Sequence, residues 1–259
     1  MLPVRPRTTT VLVASLLAAA APGAVASHDH VHPVSIGSGV KTCVVTRGAD
    51  CNGVRAVGVN LAGRDLRGAR FDKADLRGAV LTGANLSGAS FRGATMAAAN
   101  LSYANLRRAR FGPPPGARKV GSQSSAPAGC LPNCPGANLE SANLTGADLF
   151  SAQMQGVNLA SANLTHANAY MANFTKSYLV SANLTRTYFQ STNLTSALLV
   201  SANLTYAWAV GANFTNASLL GADLTEADLA AAITTGTIFT GVTWNNTECP
   251  NDVITSTGC

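Results

Sequence analysis

Histidine is scarce in this chain, which limits the chemistry it can support. Four occur in 259 residues: His28, His30, His32 and His166. A Ser-His-Asp or Cys-His arrangement needs one, and His166 alone lies away from the N-terminal tail. Long apolar runs are also missing. The longest, about Val11 to Ala21, is too short to span a bilayer. Of the six cysteines, only Cys130 and Cys134 have ligand-like spacing, and no second close Cys or His pair accompanies them. A tetrahedral zinc site is therefore not expected. Neither an enzyme nor a cofactor is expected either.

A five-residue period is what the chain does have. A large apolar residue recurs from Leu61 to Phe111 and again from Leu139 to Leu229. Of these 30 central positions, 28 are Leu, Phe or Met, and 24 have Ala two places before. A period of five fits neither the 3.6 of a helix nor the 2 of a strand, so it marks a repeat solenoid. The unit reads Ala-(Asn/Asp)-Leu-(Ser/Thr)-x, as in Ala142-Asn143-Leu144-Thr145-Gly146. Its five places are called first to fifth below, with the large apolar residue third. Ser-Ala-Asn-Leu-Thr recurs at 141–145, 161–165, 181–185 and 201–205, so residues 20 apart should stack.

These units resemble the pentapeptide-repeat family. The resemblance implies an all-β fold, a right-handed quadrilateral β-helix with Leu and Ala inward and four units per coil. About eight coils are expected, interrupted by one loop. Arg64 stands at an Ala position and is expected to turn out of an imperfect first coil. The column Leu149, Ala169, Phe189, Ala209, Leu229 alternates sizes as a filled tube requires. Phe71, Phe91 and Phe111 share another column.

The expected organisation is a signal peptide at 1–26, a tail and cap at 27–55 and a first repeat block at 56–111. A Pro/Gly/Ser-rich loop follows at 112–136, then a second block at 137–244 and a cap at 245–259. Arg5 and Arg7, the apolar run and Ala24-Val25-Ala26 suit cleavage near Ala26/Ser27. The mature chain is thus expected to be secreted, periplasmic or at the cell envelope. The cysteines cluster as Cys43-Cys51, Cys130-Cys134 and Cys249-Cys259, which favours three local disulfides holding the ends and the loop. His28, His30 and His32 form a weak metal candidate at the mature N-terminus, set against a plain polar tail.

Charge divides along the chain. Lys41 to Arg110 holds 12 basic and 4 acidic residues, net +8, whereas 137–259 holds 2 and 7, net −5. Arg67, Arg70, Arg92, Arg107, Arg108 and Arg110 form a candidate patch for an anionic polymer or glycan. Family members that imitate DNA are acidic and cytosolic, so DNA mimicry is not expected. In the second block, one side carries Phe150, Tyr170, Tyr188, Trp208 and Val210, a candidate glycan-stacking face. The opposite side carries Tyr178, Val180, Leu198, Val200, Leu220 and Ile238, a candidate homodimer face. The competing reading of both is ordinary exposed strand residues. The other sides form Asn-x-Thr ladders, such as Asn163-Leu164-Thr165, which suggest ice or crystal binding or simply the family's usual outer residues. The expectation is a non-catalytic exported scaffold. An ice- or crystal-binding protein and an enzyme are the alternatives, and His166 is expected to point outward at a corner.

Overall fold

A computed structural model describes residues 34–37, 41–113, 134 and 136–259. The chain divides into Met1–His32 and Pro33–Cys259. The expected signal peptide and His28, His30 and His32 lie outside the described residues. In the second unit, four ladders of parallel bridges join residues 20 apart. One runs through Asp50, Arg70, Ser90, Arg110, Asp148, Asn168, Tyr188, Trp208, Asp228 and Glu248. These ten rungs exceed the expected eight coils, because Cys51 and Cys249 occupy third positions where the chain has no Leu or Phe. Both are buried.

Backbone hydrogen bonding explains the repeat. The third-position N–H donates to the next coil, as Leu164 does to the Asn183 carbonyl at 2.8 Å. The fifth position does likewise, as His166 to Thr185, and the second donates to the preceding coil, as Asn163 to Ala142. The first donates within the corner, as Ala167 to Leu164. That leaves the fourth N–H, and the Asn or Asp side chain accepts it: Thr165 N–H lies 3.0 Å from Asn163 Oδ1. All five donors of a full unit are thereby satisfied, as a packed backbone requires. The small polar residue at the second position follows from this geometry.

The fifth residue takes positive φ, for example 55° at Ser161 and 58° at His166. The corner is therefore a turn with a left-handed third residue, as in type II. Gly fills many of these positions in the first block, whereas Ser fills many in the second. Gly112 is one position where no side chain fits, since an added Cβ would collide with the Phe150 carbonyl oxygen.

The interior is layered. Phe71, Phe91 and Phe111 stack with ring centroids 5.5 and 5.3 Å apart. Leu149, Ala169, Phe189, Ala209 and Leu229 are all buried. Arg64 is half-buried rather than turned fully outward. Val54 and Val59 take neighbouring Ala positions of the first coil.

The ends are closed by short hairpins. Strands β1 (Val34–Ile36) and β2 (Cys43–Val45) pair antiparallel before the first rung, as do β3 (Thr247–Glu248) and β4 (Ile254–Thr255) after the last. Disulfide Cys43–Cys51 ties β2 to a third-position cysteine of the first coil, and Cys249–Cys259 ties the segment after β4 to a third-position cysteine of the last. Cys134 departs from the loop role expected of it. It takes a third position, donates its N–H to Gln153 and points into the core as a free thiol. Burial pushes that thiol up to about 12. Its expected partner, Cys130, lies outside the described residues.

The interruption shifts the register. Asn100, Asn105 and Arg110 pair with Asn138, Asn143 and Asp148, a step of 38 residues in place of 20. Three ladders thus run unbroken from the first block into the second. Arg92 reinforces the junction by donating to Asp148 at 3.1 Å.

Candidate functional site

Stacking by 20 residues within the first block builds the candidate site. Arg70 and Arg110 are second-position residues of one side, and Asp72 and Arg92 are fourth-position residues of the same side. They surround a depression of about 300 Å³ together with Ser90. A second depression of about 350 Å³ lies alongside, where Lys41, Lys73 and Asn52 join Arg70 and Asp72. The two linings carry five cations and one carboxylate.

Asp72 organises the floor. It is nearly buried and accepts from the Ser90 hydroxyl and from the Arg92 N–H at 3.0 Å. Its own N–H donates to Asn52 at 2.8 Å. Arg70 lies 3.7 Å from Asp50 and 4.0 Å from Asp72, loose pairs that leave it over half exposed. Arg92 Nε is buried with no partner. Arg110 is exposed and in no ion pair among the described residues.

The rest of the expected basic patch separates from this group. Arg67 is held on the next side by a two-point bond to Asp65, at 2.8 and 2.5 Å. That hydrogen bond holds the Asp65 carboxyl below its usual range. Arg77 holds Asp75 in the same way, at 2.8 and 2.7 Å. Arg107 lies on the same side as Arg67, and Arg108 sits at the corner between that side and the Arg110 side. Asp72, Lys73 and Ser90 were legible from the same 20-residue stacking that places Arg70 and Arg110, whereas Lys41 comes from the cap, which the repeat does not register.

Farther along the Arg110 ladder come the aromatics. Phe150 and Tyr170 stack at 5.8 Å, and Tyr188 meets Trp208 edge-on at 4.7 Å. Tyr170 and Trp208 are exposed. On the opposite side Tyr178, Leu198, Leu220 and Ile238 are exposed, and Val180 and Val200 are half-buried. His166 is exposed at its corner.

The Asn-x-Thr ladders are bonded internally. Thr165 and Thr175 donate their hydroxyls to Asn163 and Asn173 at 2.6 Å. Thr145 and Thr185 do the same to Asn143 and Asn183 at 2.7 Å. Among the described residues no group of three or more metal-ligating side chains occurs, and no helix is long and apolar enough to cross a membrane.

Fold and surface together define a repeat solenoid with solid interior and long outer faces. The sequence profile described as pentapeptide repeats matches in eight copies, over residues 47–83, 74–112, 133–159, 142–179, 158–195, 177–216 and 197–241. The chain belongs to the pentapeptide-repeat family. Members of that family are generally non-catalytic scaffolds, some of which bind partners.

Solved structures similar to this chain include HetL, a pentapeptide repeat protein involved in heterocyst differentiation regulation from the cyanobacterium Nostoc sp. strain PCC 7120. Identity is 23%, covering 80% of this chain and 91% of that one, with a TM-score of 0.30. QnrB1, a plasmid-mediated fluoroquinolone resistance protein, is 19% identical over 73% and 87%, with a TM-score of 0.35. A pentapeptide repeat protein of the Arabidopsis thaliana thylakoid lumen is 29% identical over 49% and 69%, with a TM-score of 0.30. No curated protein matches.

Proposed function

We propose that this chain is an exported, non-catalytic scaffold, a right-handed quadrilateral β-helix that holds an anionic polymer or glycan at the cell envelope or outside the cell. The observation that carries the reading is the depression formed by Arg70, Arg92 and Arg110. The linings of it and its neighbour carry five cations and one carboxylate, with Arg70 and Arg92 also meeting Asp50 and Asp148 from outside those linings. Arg110, Lys41 and Lys73 are in no ion pair among the described residues, which leaves their charges available to an anion. The two disulfides and the signal-like leader support export. N-terminal sequencing of the protein recovered outside the cytoplasm should begin at Ser27.

Binding is tested by titrating the mature chain with polyphosphate and with an acidic polysaccharide between low and physiological salt. Affinity should fall steeply as salt rises, because exposed charges are screened over about 8 Å at physiological ionic strength. Arg110→Ala and Lys73→Ala should each weaken binding several-fold. Binding that ignores both salt and these substitutions would remove the anion reading.

A further inference from the structure

We infer that the ligand class is an acidic glycan that lies along one side of the coil, its charges over the arginines and its rings over the aromatics. The inference rests on the anion-binding reading above. It adds the chemistry of the rings, which that reading leaves open.

The argument is the register across the loop. Phe111 and Leu139 stand 28 residues apart, which is not a multiple of five, so the chain order leaves open which side of the second block continues the arginine side. The bridges from Ser90 to Arg110 and from Arg110 to Asp148 settle the alignment. The same ladder then passes through Asn168 and Tyr188 to Trp208. Arg110 and Trp208 are therefore four rungs apart on one side, about 19 Å at ~4.8 Å per rung. Tyr170 lies beside that line, on the rung after Phe150.

A ladder of rungs offers repeated contacts at a constant short interval, which suits an extended polymer better than a compact ligand. The aromatic stretch also carries a cation. Arg186 lies 5.3 Å from the ring centre of exposed Tyr206, at the corner bordering this side. An arginine so placed can meet a ring carboxylate next to a stacked sugar. Neutral sugars would leave Arg70 and Arg110 without use, and an anion lacking rings would leave Tyr170 and Trp208 without use. An acidic polysaccharide engages both.

The test uses the mature chain with its disulfides intact. The probes are polygalacturonate, which carries a carboxylate on each ring, polyphosphate, which has no rings, and dextran, which has no charge. Trp208→Ala combined with Tyr170→Ala should lower polygalacturonate affinity about tenfold, given the usual worth of aromatic contacts, while polyphosphate affinity stays within about twofold. Arg110→Ala should weaken both anions. Tyr178→Ala, on the opposite side, should change neither, and Trp208→Phe should recover much of the loss by keeping a ring in place. Unchanged thermal unfolding of the aromatic variants excludes a folding defect.

Equal affinities of the double aromatic variant and the parent for polygalacturonate would overturn the inference while leaving anion binding intact. Dextran binding as tightly as polygalacturonate would overturn it as well. Failure of both anions to bind would remove the underlying reading along with it.

Discussion

Replacing Phe189 by alanine probes the claim that the interior is a filled tube of stacked columns. Phe189 is fully buried, and its neighbours one coil above and below are Ala169 and Ala209, also fully buried. Its ring meets Phe174 edge-on at 6.1 Å. Phe-to-Ala changes in a packed core cost about 3–5 kcal/mol, and more where the site cannot collapse. Two flanking methyl groups cannot reach into the vacated space, so the upper part of that range is expected. Ala169→Leu alone should cost about 1–3 kcal/mol by crowding the ring. In the double variant the new leucine enters the space left by Phe189, so the two changes should couple favourably by about 2 kcal/mol or more. Urea unfolding followed by far-UV dichroism and, in a Trp244→Phe background, by Trp208 emission measures this. Trp208 touches Tyr188, the residue beside Phe189, and therefore reports the same coil. Repeat arrays can unfold in stages, which makes the local probe necessary. A cost for Phe189→Ala below about 1 kcal/mol, or additive behaviour within about 0.5 kcal/mol, would refute the stacking argument.

Three further outcomes are expected. Ser177 is buried at an Ala position with its hydroxyl unpartnered, whereas the Thr192 hydroxyl donates to the Ala169 carbonyl at 2.6 Å. Ser177→Ala should therefore stabilise by about 1 kcal/mol and Thr192→Ala destabilise by a similar amount. Chemical denaturation giving both changes the same sign would contradict this. Asp65 and Asp75 are held below the usual carboxylate range, first by their side-chain bonds to Arg67 and Arg77. Their modest stabilisation is present above about pH 4 and fades as pH falls through the lowered folded values. Thermal unfolding of an Asp65→Asn, Asp75→Asn variant should thus lie below the parent at pH 6 and converge with it near pH 2. Cys134 has its thiol pushed up to about 12 by burial, so the native state keeps a proton that the unfolded chain releases. Stability should fall by about 1.4 kcal/mol per pH unit between roughly pH 9 and 12. Cys134→Ala should flatten that slope by this amount, and an identical slope in both proteins would show that the thiol is not buried as described.

Much of the local design was legible because each rule acts within five residues. The turn at Leu164 to Ala167, the acceptor on Asn163 and the inward leucine all follow from neighbours along the chain. The pairing of Cys43 with Cys51 and of Cys249 with Cys259 was legible for the same reason. Arg67 was misjudged as part of a free basic patch, since its nearest anion, Asp65, stands only two residues away and neutralises it. Cys134 was misjudged although it stands five residues before Leu139, in phase with the second block, because its close spacing to Cys130 favoured a loop disulfide. Its third position is seen in the N–H it donates to Gln153.

The chain order by itself determined a solenoid of five-residue units that stack every 20 residues and the polarity of each side, and the resemblance of those units to the pentapeptide-repeat family implied the tube with leucine and alanine inward. It left open how the two blocks are joined. An interruption of irregular length can close on any of the four sides, and no local rule chooses among them. The bridges across the loop and the Arg92–Asp148 contact made that choice, and they alone put the arginines and the aromatic rings on one face.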